Sequence, residues 1–162
     1  MRNVIFFHNP EEYYGFLSNW YMSDFTIENK SFSSMEQYMM YKKATLFSDN
    51  DVASEILLTS NVGKIKILGR QISNYNESIW NGMRQIIVYK GLEQKFIQNK
   101  ELQKKLLDTG DSILAESSFQ DKVWGIGKSA TDTDRFEITM WEGQNLLGYT
   151  LMLVRDEIRK NY

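Results

Sequence analysis

The chain predicts an α+β fold, mainly helical with a small antiparallel-containing sheet, and three observations carry that reading. Apolar residues recur at helical spacing through the middle and end of the sequence. Strict alternation is confined to short stretches near the start. Glycine, asparagine and serine punctuate the boundaries between them.

Taken in order, Val4-Ile5-Phe6-Phe7 reads as a short buried strand within residues 3 to 7. Phe25 and Ile27, then Phe32, alternate about the polar turn Glu28-Asn29-Lys30 and predict a hairpin. Between these, Tyr13 to Trp20 has no period and reads as an irregular aromatic loop. Ser33 with Glu36 three residues on has the form of a capping box, opening a helix that runs to about Phe47. A second helix is expected over 51–58, capped by Asp49 or Asn50, and a shorter one over 62–67 after Asn61. From Glu77 to Asn99 a long helix presents Ile79, Met83, Ile86, Ile87 and Phe96 as its apolar residues. Asn99 recaps a helix that stops at Thr109-Gly110, where glycine suits a left-handed C-terminal residue. A strand at 112–116 and the glycine-punctuated loop Trp124-Gly125-Ile126-Gly127 follow. The last helix, from about Asn145, carries Leu147, Leu151, Val154 and Ile158 on one face.

Composition narrows the function classes. The 162 residues hold 19 Lys+Arg against 21 Asp+Glu, a formal charge of −2, and 42% are hydrophobic. One domain spanning 1–162 is expected, since no linker, repeat or low-complexity tract divides the chain and Pro10 is the only proline. No cysteine is present, which excludes thiol catalysis, disulfides and Cys-ligated metals and points to a reducing cytoplasm. With the single histidine, His8, read as structural, no metal site is expected. No apolar run reaches the roughly 18 residues of a membrane span, so no membrane partner is expected. The near-neutral balance argues against a non-specific nucleic-acid binder. Lys64, Lys66 and Arg70, with Lys90, Lys95, Lys100, Lys104 and Lys105, still leave open a local basic rim, against a solvated helix surface interspersed with Glu93 and Glu101.

Several residues carry chemistry. Glu36, Met40 and Lys43 share one helix face, because a seven-residue step falls within about 20° of two full turns and roughly 10 Å along the axis. An acid and an amine then face one hollow. The alternative is that Glu36 only closes the capping box and Lys43, beside Lys42, is solvated. Trp80 and Arg84 form an i,i+4 pair that is either core packing or a stacking platform. Trp124, three residues after Asp121 and before Gly125, is either a cradle for a planar ligand or a plug in the core. Gly127-Lys128-Ser129 has the form of the end of a phosphate-binding loop, but position 122 is lysine where that loop requires glycine, so the NTPase reading is rejected.

An ordered set of segments resembles the YbiA-like, or NADAR, family, whose name reflects a proposed link to NAD and ADP-ribose. The segments are Tyr14-Gly15-Phe16-Leu17-Ser18-Asn19-Trp20, Ser34-Met35-Glu36-Gln37-Tyr38 leading to Lys43, Leu68-Gly69-Arg70, and Trp80 before a long helix. Lys95-Phe96, Leu106 to Gly110, Leu114-Ala115-Glu116, Asp121 with Trp124 to Gly127, and Asn145 to Met152 complete it over nearly the whole chain.

The resemblance implies a metal-independent N-glycosidase without a cofactor. It implies catalytic roles for Lys43, Glu36 and Asp121, and substrate contacts from Asn19, Gly15, Tyr38, Arg70, Trp80, Trp124 and Gly125. Gln37 departs from the histidine of many relatives, and the segment from Thr131 to Met140 is longer than in short ones. Implied substrates are ADP-ribosylated guanine in DNA or RNA, or phosphorylated riboflavin-pathway intermediates; a non-catalytic ADP-ribose-binding module is the other class. Pairing with a guanine-modifying ADP-ribosyltransferase toxin, as its antitoxin, is implied for some members. The chemistry suits the residues: an unprotonated Lys43 captures the anomeric carbon of an open ribose as a Schiff base, while carboxylates handle the protons and charge.

Overall fold

A computed structural model describes residues 3–161. In chain order the elements are β1 (Val4–Phe7), β2 (Met22–Ile27), β3 (Lys30–Ser34), α1 (Met35–Leu46), α2 (Asn50–Leu57), α3 (Val62–Arg70), α4 (Glu77–Gln98), α5 (Lys100–Asp108), β4 (Ile113–Glu116) and α6 (Leu146–Asn161). The α+β class is as expected. Packing groups them into two compact units, one of residues 3–18 with 100–161 and one of residues 19–99.

In the second unit, Glu28 and Asn29 both adopt left-handed backbone, φ 52° and 61°. Two such residues make the tight turn whose twist matches paired strands, so β2 and β3 close as the expected hairpin, with Ile27 opposite Lys30. The two residues that face inward, Phe25 and Phe32, meet Tyr38 of α1 with ring centroids 5.8 and 5.2 Å away. Gly91 of α4 lies against the Tyr38 ring, where a β-carbon would collide with it.

The cap of α1 differs from the expected one by a residue. β3 runs through Ser33, and Ser34 is the N-cap, its hydroxyl accepting from the Gln37 N–H at 3.1 Å. Gln37 answers by accepting from the Ser33 N–H at 2.7 Å, so the box is closed by Gln37 and not by Glu36. Asp49 and Asn61 cap α2 and α3 as expected. Helix α3 continues to Arg70, three residues past the expected end.

Helix α4 corrects the expected apolar face. Ile79, Met83 and Ile86 are exposed, while Trp80, Ile87, Val88, Leu92, Lys95 and Phe96 are buried. The helix has apolar residues on two sides, and the pattern alone did not say which side packs.

In the first unit β1 pairs in parallel with β4, from Val4 opposite Ile113 to Phe7 opposite Glu116. Asn145 holds this pair to α6. Its Nδ2 donates to the Leu114 carbonyl at 2.8 Å and its Oδ1 accepts from the Glu116 N–H at 3.1 Å. Leu147, Leu151, Val154 and Ile158 form the buried face of α6, as expected. No helix among the described residues is long and apolar enough to cross a membrane.

Candidate active site

Close approach of two helices creates the site in the second unit. At Gly69, near the end of α3, a β-carbon would collide with the thioether of Met40 on α1. Only glycine lets the α3 backbone come this near. The Gly69 carbonyl also has no helical partner four residues on, because the Ser73 N–H donates instead to Asp49 Oδ2 at 2.7 Å. Lys43, in the last turn of α1, fills that vacancy: its Nζ donates to the Gly69 carbonyl at 3.0 Å. A cation at the C-terminal end of α3 also meets the negative pole of that helix.

Aromatic rings enclose the amine. Its Nζ lies 4.6 Å from the ring centroid of Tyr75 and 5.5 Å from Trp80. Trp80 is buried at 6% exposure, so it belongs to the core and lies beside the amine at once. Tyr75 was not singled out by the sequence, since it sits between helices with no periodic signal. Burial pushes the Lys43 amine below the usual lysine range; the Glu36 carboxylate opposes that shift, and the Arg70 guanidinium adds to it. Arg70 is thus the neighbouring cation; Lys42 is engaged with Glu28 at 3.0 Å.

Glu36 is buried at 5% exposure, and its backbone N–H donates to the Asn19 carbonyl at 2.9 Å. The side-chain oxygen of Asn19 is buried without a hydrogen-bond partner. An unpaired buried acceptor is unfavourable by about 1–3 kcal/mol, which favours a donor arriving there. Asn19, Glu36, Lys43, Arg70 and Trp80 therefore all belong to one unit, and the structure ties Glu36 to Asn19 and ties Arg70 and Trp80 to Lys43.

Three of the expected site residues have other work. Tyr38 is buried at 1% exposure in the aromatic core, and burial, helped by Glu28, pushes its hydroxyl up to about 12. Its role is packing. Gly15 opens a short 3-10 turn where a β-carbon would strike the Pro10 carbonyl. Gly125 is held as tightly, against the backbone of Asp121 and Glu116, and its carbonyl accepts from the Asn145 N–H. The next amide, Ile126 N–H, donates to the Glu116 carbonyl at 2.9 Å.

Asp121 and Trp124 are joined within the first unit: Asp121 Oδ1 accepts from the N–H groups of Val123 at 2.9 Å and Trp124 at 2.7 Å. The carboxylate shapes the loop that carries the indole. Lys128, from the rejected phosphate-loop pattern, pairs with Asp134 and Glu142. Gln37, which departs from the histidine of many relatives, donates through Nε2 to the Ile56 and Thr59 carbonyls.

A separate trough of about 530 Å³ lies over the outer face of the hairpin, lined by Asp24, Thr26, Ser31 and Gln98 among others. Its amides are already committed: Gln98 clasps both the N–H and the carbonyl of Thr26, at 2.8 and 2.6 Å. Among the described residues no group of three His, Cys, Asp or Glu side chains gathers to hold a metal.

With this geometry in view, comparison with known proteins is informative. A family model described as the NADAR domain matches residues 5–159. The chain is 38% identical to an N-glycosidase of Acanthamoeba polyphaga mimivirus, over 94% of this chain and 95% of that protein. It is 30% identical to a riboflavin biosynthesis protein of Vibrio vulnificus, over 99% of this chain but only 40% of that longer protein. The NMR structure of Escherichia coli YbiA superposes with a TM-score of 0.82 at 27% identity, covering 99% of this chain and 87% of that one.

Proposed function

The chain belongs to the NADAR domain family, and from that premise we propose that it is a metal-independent N-glycosidase that cleaves the bond between ADP-ribose and guanine in modified nucleic acid. The observation that carries the proposal is the Lys43 amine, half-buried, lowered in pKa and faced by Tyr75 and Trp80. Lysine is a nucleophile only when unprotonated, and desolvation beside a second cation is one way enzymes reach that state.

In the proposed reaction the ribose opens and exposes its anomeric carbon. Lys43 Nζ attacks it, the bond to the guanine nitrogen breaks, and the base leaves with a proton supplied through Glu36. The resulting imine is hydrolysed by water, which returns the free amine and releases ADP-ribose. Glu36 moves the protons in both halves. The buried Asn19 oxygen accepts from a sugar hydroxyl. Arg70 meets a phosphate, and Trp80 presents its ring to a planar group.

The nucleic-acid substrate is favoured by helix α3, which carries Lys64, Lys66 and Arg70 and no acidic residue. Lys66 Nζ lies 5.5 Å from the ring of Trp20, itself 37% exposed, a pairing of cation and ring that suits a stacked base and its phosphate. The riboflavin biosynthesis protein of Vibrio vulnificus favours a second reading, in which a phosphorylated riboflavin-pathway intermediate is the substrate. The reaction class is the same and only the leaving group differs. We place the activity in a reducing cytoplasm, in keeping with the cysteine-free chain, opposite a guanine-modifying ADP-ribosyltransferase.

The test is to incubate the protein with guanine-ADP-ribosylated DNA and borohydride and to search by mass spectrometry for a reduced adduct on Lys43. An adduct on Lys43, lost in Lys43→Ala together with base release, is the expected result. Release of ADP-ribose by Lys43→Ala at the wild-type rate would remove the lysine mechanism. Turnover of the riboflavin intermediate alone would select the second reading, and ADP-ribose binding without any turnover would leave a binding module.

A further inference from the structure

Tyr75 sits in the passage 71–76 between α3 and α4, and that passage is held at several points. The Gln71 N–H donates back to Leu68 at 2.9 Å, the Ser73 N–H donates to Asp49 at 2.7 Å, and Asn74 takes left-handed backbone at φ 58°. Asn76 then caps α4, accepting from the Ile79 N–H at 3.0 Å. Asp49 uses its other oxygen to cap α2, at 3.1 Å from the Val52 nitrogen, so one carboxylate fastens the passage to the start of that helix.

The Tyr75 ring is aimed by these anchors. It packs edge-on to Phe47, the C-cap of α1, with centroids 5.4 Å apart and planes at 69°. Lys43 Nζ lies over the ring at 4.6 Å, nearer than to Trp80. Tyr75 is 46% exposed, whereas Trp80 is locked in the core. The amine thus has a fixed wall, a carbonyl acceptor and one ring open to solvent.

We propose that Tyr75 is a positioning residue for Lys43, its ring and the Gly69 carbonyl together holding the ammonium form of the amine in a fixed resting place from which it is released to react. The purpose rests on the reading of Lys43 as the nucleophile; the physical statement about the amine does not. A ring face attracts the charged amine and not the neutral one. The charged groups acting on Lys43 are Glu36 on α1, which favours the ammonium form, and Arg70 on α3, which opposes it; α4 contributes the uncharged Trp80. Removing the Tyr75 ring while keeping an apolar wall leaves burial and Arg70 in place, so the amine becomes easier to deprotonate.

The experiment is reductive methylation of the whole protein with isotopically labelled formaldehyde, followed by NMR titration of the dimethyl-Lys43 resonance, with dimethyl-Lys42 as an internal reference. Tyr75→Leu is expected to lower the Lys43 midpoint by about half a pH unit, and Tyr75→Phe, which keeps the ring, to titrate with the wild type. Tyr75→Met takes the place of the leucine variant if that variant does not fold. A leucine variant that titrates with the wild type, or a phenylalanine variant that moves with the leucine one, overturns the proposal. Failure of the glycosidase reading has a different signature, because wild-type protein would then form no adduct with ADP-ribosylated DNA whatever the titration gives.

Discussion

Lys43 is where opposing electrostatic effects meet, and two substitutions separate them. Glu36 raises its pKa and Arg70 lowers it, while burial exceeds both. In the proposed reaction the neutral amine attacks, so activity is expected to fall as pH drops through the Lys43 pKa. Glu36→Gln removes a charge that favoured the ammonium ion and is expected to move this acid limb to lower pH, whatever it does to the maximal rate. Arg70→Met removes a repelling cation and should move the limb to higher pH. The pH dependence of borohydride trapping reads both shifts, and movement of the two variants in one direction contradicts this assignment. That Glu36 and Lys43 share one face of α1 was legible from a seven-residue step, while a capping-box role for Glu36 stood as the alternative. The competing assignment of Glu36 to the capping box is corrected by its neighbour, because Gln37 closes the box. Sequence alone favoured the wrong partner because Ser33 and Ser34 are equally good caps, and only the reach of β3 decides between them.

Helix identity was largely written in caps and periodicity, but the faces of the helices were not. Asp49, Asn61 and Asn76 each accept from the backbone N–H three residues on; the sequence pointed to Asn61 and gave Asp49 as one of two candidates, and it did not single out Asn76. The packing side of α4 depends instead on what α1 and β2 offer it. Met40 against Gly69 is the decisive element contact for the site, because it brings the end of α3 within reach of Lys43. Gly69→Ala is expected to push α3 away, weaken the Lys43 hydrogen bond and destabilise the protein by about 1–3 kcal/mol, the usual range for overpacking. Its signature is a lower Tm together with slower Lys43 trapping. Full trapping rate at reduced Tm would mean that the glycine serves packing alone.

At the scale of the folded molecule, a buried lysine couples stability to pH. Lys95 is fully buried among residues that include Tyr21 and Phe96, and burial lowers it to about 7 from 10.5. Between those values the unfolded chain binds a proton that the folded chain does not, so stability rises with pH across that window. Below about 7 both states carry the proton and this pH dependence ends. Lys95→Met should therefore raise stability at neutral pH, on the order of a few kcal/mol, and flatten the difference curve between pH 7 and 10 relative to wild type. Denaturant midpoints measured across that range check it; parallel curves for the two proteins would contradict the assignment. The sequence by itself determined the α+β class, the order of the helices and the Asn61 cap, because these rest on residues within about two turns of one another. Tertiary structure alone decided the parallel pairing of β1 with β4, the placing of Tyr38 in the core, and the surroundings of Lys43 at Gly69, Arg70, Tyr75 and Trp80. Those depend on segments far apart in the chain excluding water from a common space, and no local spacing records which surfaces will meet.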